Sequence, residues 1–127
     1  MDTSQTVVAI VDDDEAVRIA TSSLVRAMGW SVQTFESADA FLQSEHLSNA
    51  SCLISDVLMP GMSGVLLHAT LRGLGYALPT IFITGFPTPD LQAEVLANGA
   101  LVLLGKPVSL EDISHWVGVA LGDSKST

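Results

Sequence analysis

The sequence contains few basic residues. It has five lysines and arginines against 14 aspartates and glutamates, and its formal net charge at pH 7 is −9. Because the phosphates of DNA or RNA would meet a surface of their own charge, we expect no direct nucleic-acid binding by this domain.

Long apolar runs and cysteine pairs are also missing. No run approaches the ~20 apolar residues that a membrane-spanning helix needs, and the polar start MDTSQT lacks the basic and then apolar order of a signal peptide. Cys52 is the one cysteine, so the chain cannot form an internal disulfide, which favours a reducing compartment and an inert core thiol. We therefore expect a cytoplasmic protein that does not bind membranes.

Short apolar runs alternate with helix-like segments along the whole chain. Its 127 residues, 48% hydrophobic and 15% charged, fit one globular domain. The predicted strands cover residues 7–11, 30–35, 51–56, 79–84 and 101–104. The predicted helices cover residues 14–29, 37–47, 63–73 and 89–98, with a fifth after Ser109; Asp14, Ser37 and Ser109 are the predicted N-caps. This alternation predicts an α/β fold with a five-stranded parallel sheet, for which one common strand order is 2-1-3-4-5.

Four consecutive acidic residues, Asp12 to Glu15, directly follow the first predicted strand. Because like charges this close repel one another, they form either a solvated turn, with Asp14 capping the next helix, or a cation site. In the order 2-1-3-4-5 the first and third strands are neighbours, so Asp12 and Asp13 would meet Asp56 at the edge where such sheets bind ligands. Three carboxylates suit Mg²⁺, and a carboxylate can also serve as the nucleophile that forms an aspartyl-phosphate.

A hydroxyl and an ammonium group follow two further strands of the predicted sheet. Thr84 ends the fourth strand, and Lys106 follows the fifth. Phosphoryl transfer depends on positioning and on neutralising the charge of the moving group. A cation, Lys106 and the Thr84 hydroxyl around one carboxylate would supply both.

Four motifs, in order along the chain, resemble those of the receiver domains of two-component response regulators: IVDDDEAVR (10–18), LISDVLMPGMSG (53–64), FITG (82–85) and LGKPVS (104–109). The resemblance covers essentially the whole chain and leans to the FixJ-like subgroup, whose output half is usually a helix-turn-helix DNA-binding domain. It implies a flavodoxin-like (βα)5 fold, a receiver domain over residues 1–122, and a tail or the start of a linker over residues 123–127.

The resemblance also implies a role for single residues. Asp56 matches the position that accepts a phosphoryl group from a phosphohistidine of a sensor histidine kinase or a histidine phosphotransfer protein. Thr84 matches the hydroxyl that moves toward this group, Lys106 matches the lysine that pairs with it, and the Lys106–Pro107 bond is a candidate cis peptide. The implied ligands of Mg²⁺ are Asp12, Asp13, Asp56 and the backbone carbonyl of Leu58.

A protein of this kind is a signalling switch rather than an enzyme. Its output face would combine the fourth helix with the fifth strand and the fifth helix, and we expect a homodimer or partner contact there. The candidate apolar members of this face are Leu91, Val95, Leu101 and Trp116. The three histidines, His46, His68 and His115, are predicted to serve surface or partner-facing roles rather than metal binding.

The sequence departs from the family pattern at Leu103, where the family usually has Tyr or Phe. Because that aromatic normally moves together with the threonine, Leu103 puts the coupled switch in question. Leu58 and Phe86 are apolar at two variable positions beside the pocket, which predicts a slow loss of phosphate. Two alternatives remain: a degenerate receiver that acts as a phosphorylation-independent interaction module, and a Mg²⁺-dependent phosphohydrolase, for which 127 residues leave no substrate subdomain.

Overall fold

The apolar runs form one parallel sheet in the computed structural model, which describes residues 6–122. Its strands are β1 (Val7–Val11), β2 (Ser31–Phe35), β3 (Ala50–Asp56), β4 (Thr80–Thr84) and β5 (Val102–Gly105). The strand order is β2-β1-β3-β4-β5, as predicted. At the centre of the sheet Val11 pairs with Ser55, so the ends of β1 and β3 lie side by side. The predicted tail, residues 123–127, lies outside the described residues.

Four α-helices connect the strands and a fifth follows β5, each begun by a side chain that accepts a backbone N–H of the first turn. They are α1 (Glu15–Ala27), α2 (Ala38–Leu42), α3 (Gly64–Gly73), α4 (Pro89–Ala97) and α5 (Leu110–Ala120). The predicted N-caps Asp14, Ser37 and Ser109 are confirmed. None of the helices in the described part of the chain has the length and apolar character that a membrane span requires.

The second helix is shorter than predicted. It ends at Leu42, and a short 3₁₀ helix over Leu47–Asn49 precedes β3. Phe41 is the last fully buried residue of α2, and Leu42 packs partly buried against the same cluster. Beyond it, the Ser44 hydroxyl accepts the N–H of His46, which gives the backbone a turn in place of a further helical turn.

Apolar side chains cover both faces of the sheet. In β1, Val8 and Ile10 join the cluster under α1 and α5, whereas Ala9 and Val11 join the cluster under α2 and α3, because side chains alternate along a strand. Trp30 and Trp116 are partly buried and pack against the first of these clusters. Cys52 is fully buried in the same cluster, and this burial raises the pKa of its thiol to about 12.

The prediction of a surface role for His68 was wrong. His68 is 5% exposed and meets the ring of Phe82 edge-on, with 5.6 Å between ring centroids. It falls on the inner face of α3, one turn after Gly64 and one turn before Leu71, and sequence periodicity alone did not distinguish this face. Burial and the nearby charge of Arg72 lower the pKa of His68, so its imidazole is neutral at pH 7.

The prediction for the apolar output face needs correction at Val95. This residue is buried in a third cluster with Phe82 and Leu103, because it lies on the sheet-facing side of α4. The other predicted members, Leu91, Leu101 and Trp116, are only partly buried and pack against the core. The exposed apolar side chains of α4 and α5 are instead Leu96, Leu110 and Val119.

Candidate functional site

Three carboxylates meet at the carboxyl edge of the sheet. Asp12 and Asp13 follow β1, and Asp56 ends β3; one oxygen atom from each lies within 4.8 Å of the others. Asp12 is fully buried and Asp56 is 5% exposed, whereas Asp13 faces solvent. The strand order therefore produces the acidic cluster that the sequence predicted.

Lys106 connects the two buried carboxylates. Its Nζ donates a hydrogen bond to Asp56 Oδ2 at 3.0 Å and lies 3.2 Å from Asp12 Oδ2. The backbone N–H of Lys106 donates to the Thr84 carbonyl at 2.8 Å, which fixes the chain beyond β5 beside β4. With one ammonium against three carboxylates, the cluster keeps a formal charge of −2.

The electrostatics of the cluster follow from this geometry. Burial raises the pKa of Asp56, and the negative charge of Asp12 raises it further. The hydrogen bonds from Lys106 and from the Leu58 N–H oppose this shift without cancelling it. Burial alone would lower the pKa of Lys106, but its hydrogen bond to Asp56 and the charges of both carboxylates raise it overall.

The donor set fits a hard divalent cation. Oδ2 of Asp12 is buried and makes no hydrogen bond among the described residues, although the ammonium of Lys106 lies nearby. Carboxylate oxygens are the ligands that Mg²⁺ prefers, and a formal charge of −2 matches a divalent ion. The chemistry of this edge therefore suits Mg²⁺ rather than a soft metal.

Asp14 does not belong to the cluster. Its Oδ1 accepts the N–H groups of Ala16 at 2.9 Å and Val17 at 3.2 Å, so its carboxylate caps α1. Its own N–H donates to Asp12 Oδ1 at 2.8 Å. Asp14 therefore fits the interpretation as a helix-capping turn, whereas Asp12 and Asp13 fit the interpretation as part of an acidic cluster.

Thr84 and the two apolar flanking residues lie around the same edge. Thr84 pairs with Gly105 in the sheet, next to Lys106, and is nearly fully buried. Its Oγ1 accepts the N–H of Phe86 at 3.3 Å. Leu58 and Phe86 are 66% and 79% exposed in the loops after β3 and β4, so both apolar side chains face solvent beside the cluster.

A contact that sequence reasoning missed holds the end of β3 in place. The N–H of Gly64, the first residue of α3, donates to the Val57 carbonyl at 2.9 Å. A Cβ atom at Gly64 would lie 2.1 Å from the Asp56 carbonyl oxygen and 2.9 Å from Ser55 Oγ. Only glycine allows α3 to begin this close to the backbone of Asp56. The run MPGMSG predicts a turn, but it does not indicate which of its two glycines contacts the site.

Comparison with known proteins agrees with this geometry. Residues 8–117 match the family described as "Response regulator receiver domain". The chain is 41% identical over 115 residues to the response regulator protein TodT of Pseudomonas putida. The aligned region covers 91% of this chain and 51% of TodT. It is 35% identical over 117 residues to the transcriptional regulatory protein FixJ of Azorhizobium caulinodans, covering 92% of this chain and 56% of FixJ.

The solved structures give the same result for the fold. The crystal structure of FixJ-N superimposes with a TM-score of 0.82 at 32% identity, covering 96% of both chains. The response regulator StyR superimposes with a TM-score of 0.84 at 32% identity, covering 92% of this chain and 59% of StyR. The chain spans about half the length of the curated relatives it matches.

Gly64→Ala should lower the free energy of unfolding by about 2–3 kcal/mol, because the new methyl group collides with backbone that cannot move independently of Asp56. Gly73→Ala is the matched control, since it lies in the same helix and a Cβ there meets open space; its effect should stay within ~1 kcal/mol. Urea unfolding of both variants measures the difference. Equal values would contradict the role assigned to Gly64.

Asp56→Asn should raise the free energy of unfolding at pH 7. Because the pKa of Asp56 in the folded chain lies above its ordinary value of 3.8, the stability that this group contributes falls as the pH rises through the raised pKa. A neutral amide removes this penalty, while Lys106 keeps Asp12 as a partner. The gain should shrink as the pH falls toward 3.8.

Unfolding curves across this pH range test the expectation. Asp39→Asn is the matched control, because Asp39 lies exposed on α2, outside the cluster. It should show no comparable gain at pH 7. A difference between Asp56→Asn and the unmodified chain that stays constant with pH, or that has the opposite sign, would contradict the explanation.

Proposed function

Because this chain belongs to the response regulator receiver domain family, we propose that Asp56 accepts a phosphoryl group from a phosphohistidine of a sensor histidine kinase or a histidine phosphotransfer protein. The family is a signalling domain rather than a classical enzyme, and it generally binds Mg²⁺ at an acidic aspartate cluster. Two-component response regulators such as TodT and FixJ are its relatives.

The contact between Lys106 and Asp56 is the observation that carries the proposal. Asp12 is enclosed completely, and Asp13 faces solvent, whereas Asp56 keeps 5% exposure and accepts a hydrogen bond from Lys106. A raised pKa makes the Asp56 carboxylate a more basic oxygen nucleophile than an ordinary aspartate.

In the proposed transfer, a carboxylate oxygen of Asp56 attacks phosphorus, and the bond between phosphorus and the donor's imidazole nitrogen breaks. The electron pair of that bond remains with the imidazole, and the product is an acyl phosphate. Lys106 neutralises charge on the phosphoryl oxygens. The hydroxyl of Thr84 accepts the Phe86 N–H and still has its own hydrogen to donate to a phosphoryl oxygen.

Mg²⁺, when bound, would supply positive charge that neutralises the phosphoryl oxygens together with Lys106. Its proposed ligands are Asp12, Asp13, Asp56 and the backbone carbonyl of Leu58. The support for this set is the approach of the three carboxylates and the complete burial of Asp12.

Phosphorylation should alter the face formed by α4, β5 and α5. We propose a homodimer or partner contact there, to which exposed apolar side chains would contribute: Leu96 on α4, and Leu110 and Val119 on opposite sides of α5. Leu103 already packs in the core beside Phe82, so no aromatic ring is available at that position to move with Thr84. We therefore propose that the structural change caused by phosphorylation of Asp56 reaches α4 through the loop that contains Phe86.

The proposal extends to the domain organisation. Residues 1–122 form the receiver, and residues 123–127 a tail or the start of a linker. FixJ is named a transcriptional regulatory protein, and we propose that this receiver controls an output of that kind. A net charge of −9 argues against direct contact between this domain and nucleic acid.

Incubation with Mg²⁺ and acetyl phosphate should add one phosphoryl group, measured as intact mass. The adduct should be absent when EDTA removes Mg²⁺ and absent in Asp56→Asn. Asp14→Asn is the matched control: it changes a neighbouring acid in the same way, and asparagine caps a helix as well as aspartate does. An adduct on Asp56→Asn, or its loss in Asp14→Asn, would contradict the assignment.

Phe86→Asn should speed the loss of the phosphoryl group by about tenfold, because an amide beside the site can hydrogen-bond an attacking water and a phenyl ring cannot. The decay of the mass adduct after removal of acetyl phosphate measures the rate. Leu66→Asn makes a comparable change at an exposed position of α3 and should leave the rate unchanged. Equal rates in the unmodified chain and Phe86→Asn would refute the shielding role of Phe86.

A further inference from the structure

A second concave site lies between α1 and the edge strand β2. It has a volume of about 160 Å³, and its lining residues are Arg18, Ile19, Ser22, Ser23, Arg26 and Thr34. We call it the α1–β2 cleft. The proposed phosphoryl transfer to Asp56 uses none of these side chains.

The cleft concentrates positive charge in an acidic protein. Arg18 and Arg26 are two of the three arginines in a chain of net charge −9. The salt bridges within residues 6–122 are those of Lys106 with Asp12 and Asp56, so neither arginine has a carboxylate partner there. The carbonyl end of α1 favours a cation near Arg26, but it does not explain why both guanidinium groups border one cleft.

Helical spacing places the two arginines on either side of a hydroxyl. Arg18, Ser22 and Arg26 follow one another at intervals of four residues and therefore share one face of α1. Ser22 is 5% exposed, at the side of α1 that turns toward β2. Arg18 is held in position because its Nη1 donates to the Asp12 carbonyl at 2.6 Å, and its other N–H groups leave further donors available.

These groups match the chemistry of a phosphate. A guanidinium group binds two phosphate oxygens with parallel hydrogen bonds, and two guanidinium groups balance a dianion. The hydroxyls of Ser22, Ser23 and Thr34 can donate to the remaining oxygens. A carboxylate has one charge and two oxygens, so it would leave half of this donor set without a partner.

We propose that the α1–β2 cleft binds a phosphate-type dianion, either inorganic phosphate or the phosphate group of a small monoester. Ile19, more than half exposed at the border of the cleft, offers an apolar contact to the organic part of a monoester. This binding needs neither Mg²⁺ nor modification of Asp56.

Titration of the ¹⁵N-labelled full chain with inorganic phosphate, in EDTA and at constant ionic strength, tests the proposal. Amide signals of α1 and β2 should shift along saturable curves, and acetate or chloride should not reproduce them. A parallel titration uses phenyl phosphate. Tighter binding of phenyl phosphate assigns a monoester as the ligand, and equal binding assigns free phosphate. Linear shifts, or equal shifts with acetate, would overturn the proposal.

Charge-removing variants give the second test. Arg18→Gln and Arg26→Gln should each weaken phosphate binding at least about tenfold, because each removes a charge-assisted contact. Arg72→Gln removes the same charge from α3 and should bind as the unmodified chain does; Arg72 donates to the Asn98 carbonyl and lies outside the cleft. Equal weakening by all three would mean that only overall charge matters and would refute a specific cleft.

Arg26→Gln is the decisive variant if Arg18→Gln is poorly folded, since Arg18 also supports the Asp12 backbone. Arg26 is exposed, and glutamine has a similar helix propensity. Circular dichroism establishes that the variant is folded. Unchanged phosphate affinity in folded Arg26→Gln would refute the proposal.

Discussion

The repulsion between buried carboxylates is the constraint on which the rest of this edge depends. Asp12 and Asp56 end neighbouring parallel strands, so the sheet itself forces them together. Lys106 lies between them and offsets part of the repulsion. Burial, and after it the charge of Asp12, still raises the pKa of Asp56 despite Lys106. The fold thus maintains an unfavourable charge arrangement, which a bound cation would relieve.

Much of the fold and of the site could be predicted because both follow from strand order. Polar residues stand at or just after the ends of β1, β3, β4 and β5, and parallel strands place those ends at one edge. Asp12, Asp56 and Lys106 therefore converge whatever the details of packing. The N-cap positions were equally accessible, because a side chain acts there on its own local backbone.

The parts that could not be predicted depend on contacts between elements that are distant in sequence. Gly64 is needed because α3 begins against the backbone of Asp56, and a list of turn residues carries no information about that distance. His68 and Val95 point inward because of how α3 and α4 rest on the sheet. Short amphipathic helices leave more than one orientation open, and the surface positions predicted for these two residues were wrong.

The placement of the tryptophans determines what intrinsic fluorescence can report. The chain has two, Trp30 and Trp116, and both pack against the cluster under α1 and α5. The cluster under α4, around Phe82 and Leu103, contains no indole. Emission from this protein therefore follows the half of the molecule that borders the α1–β2 cleft. A change in emission would therefore report on packing in the cluster under α1 and α5, where both indoles lie.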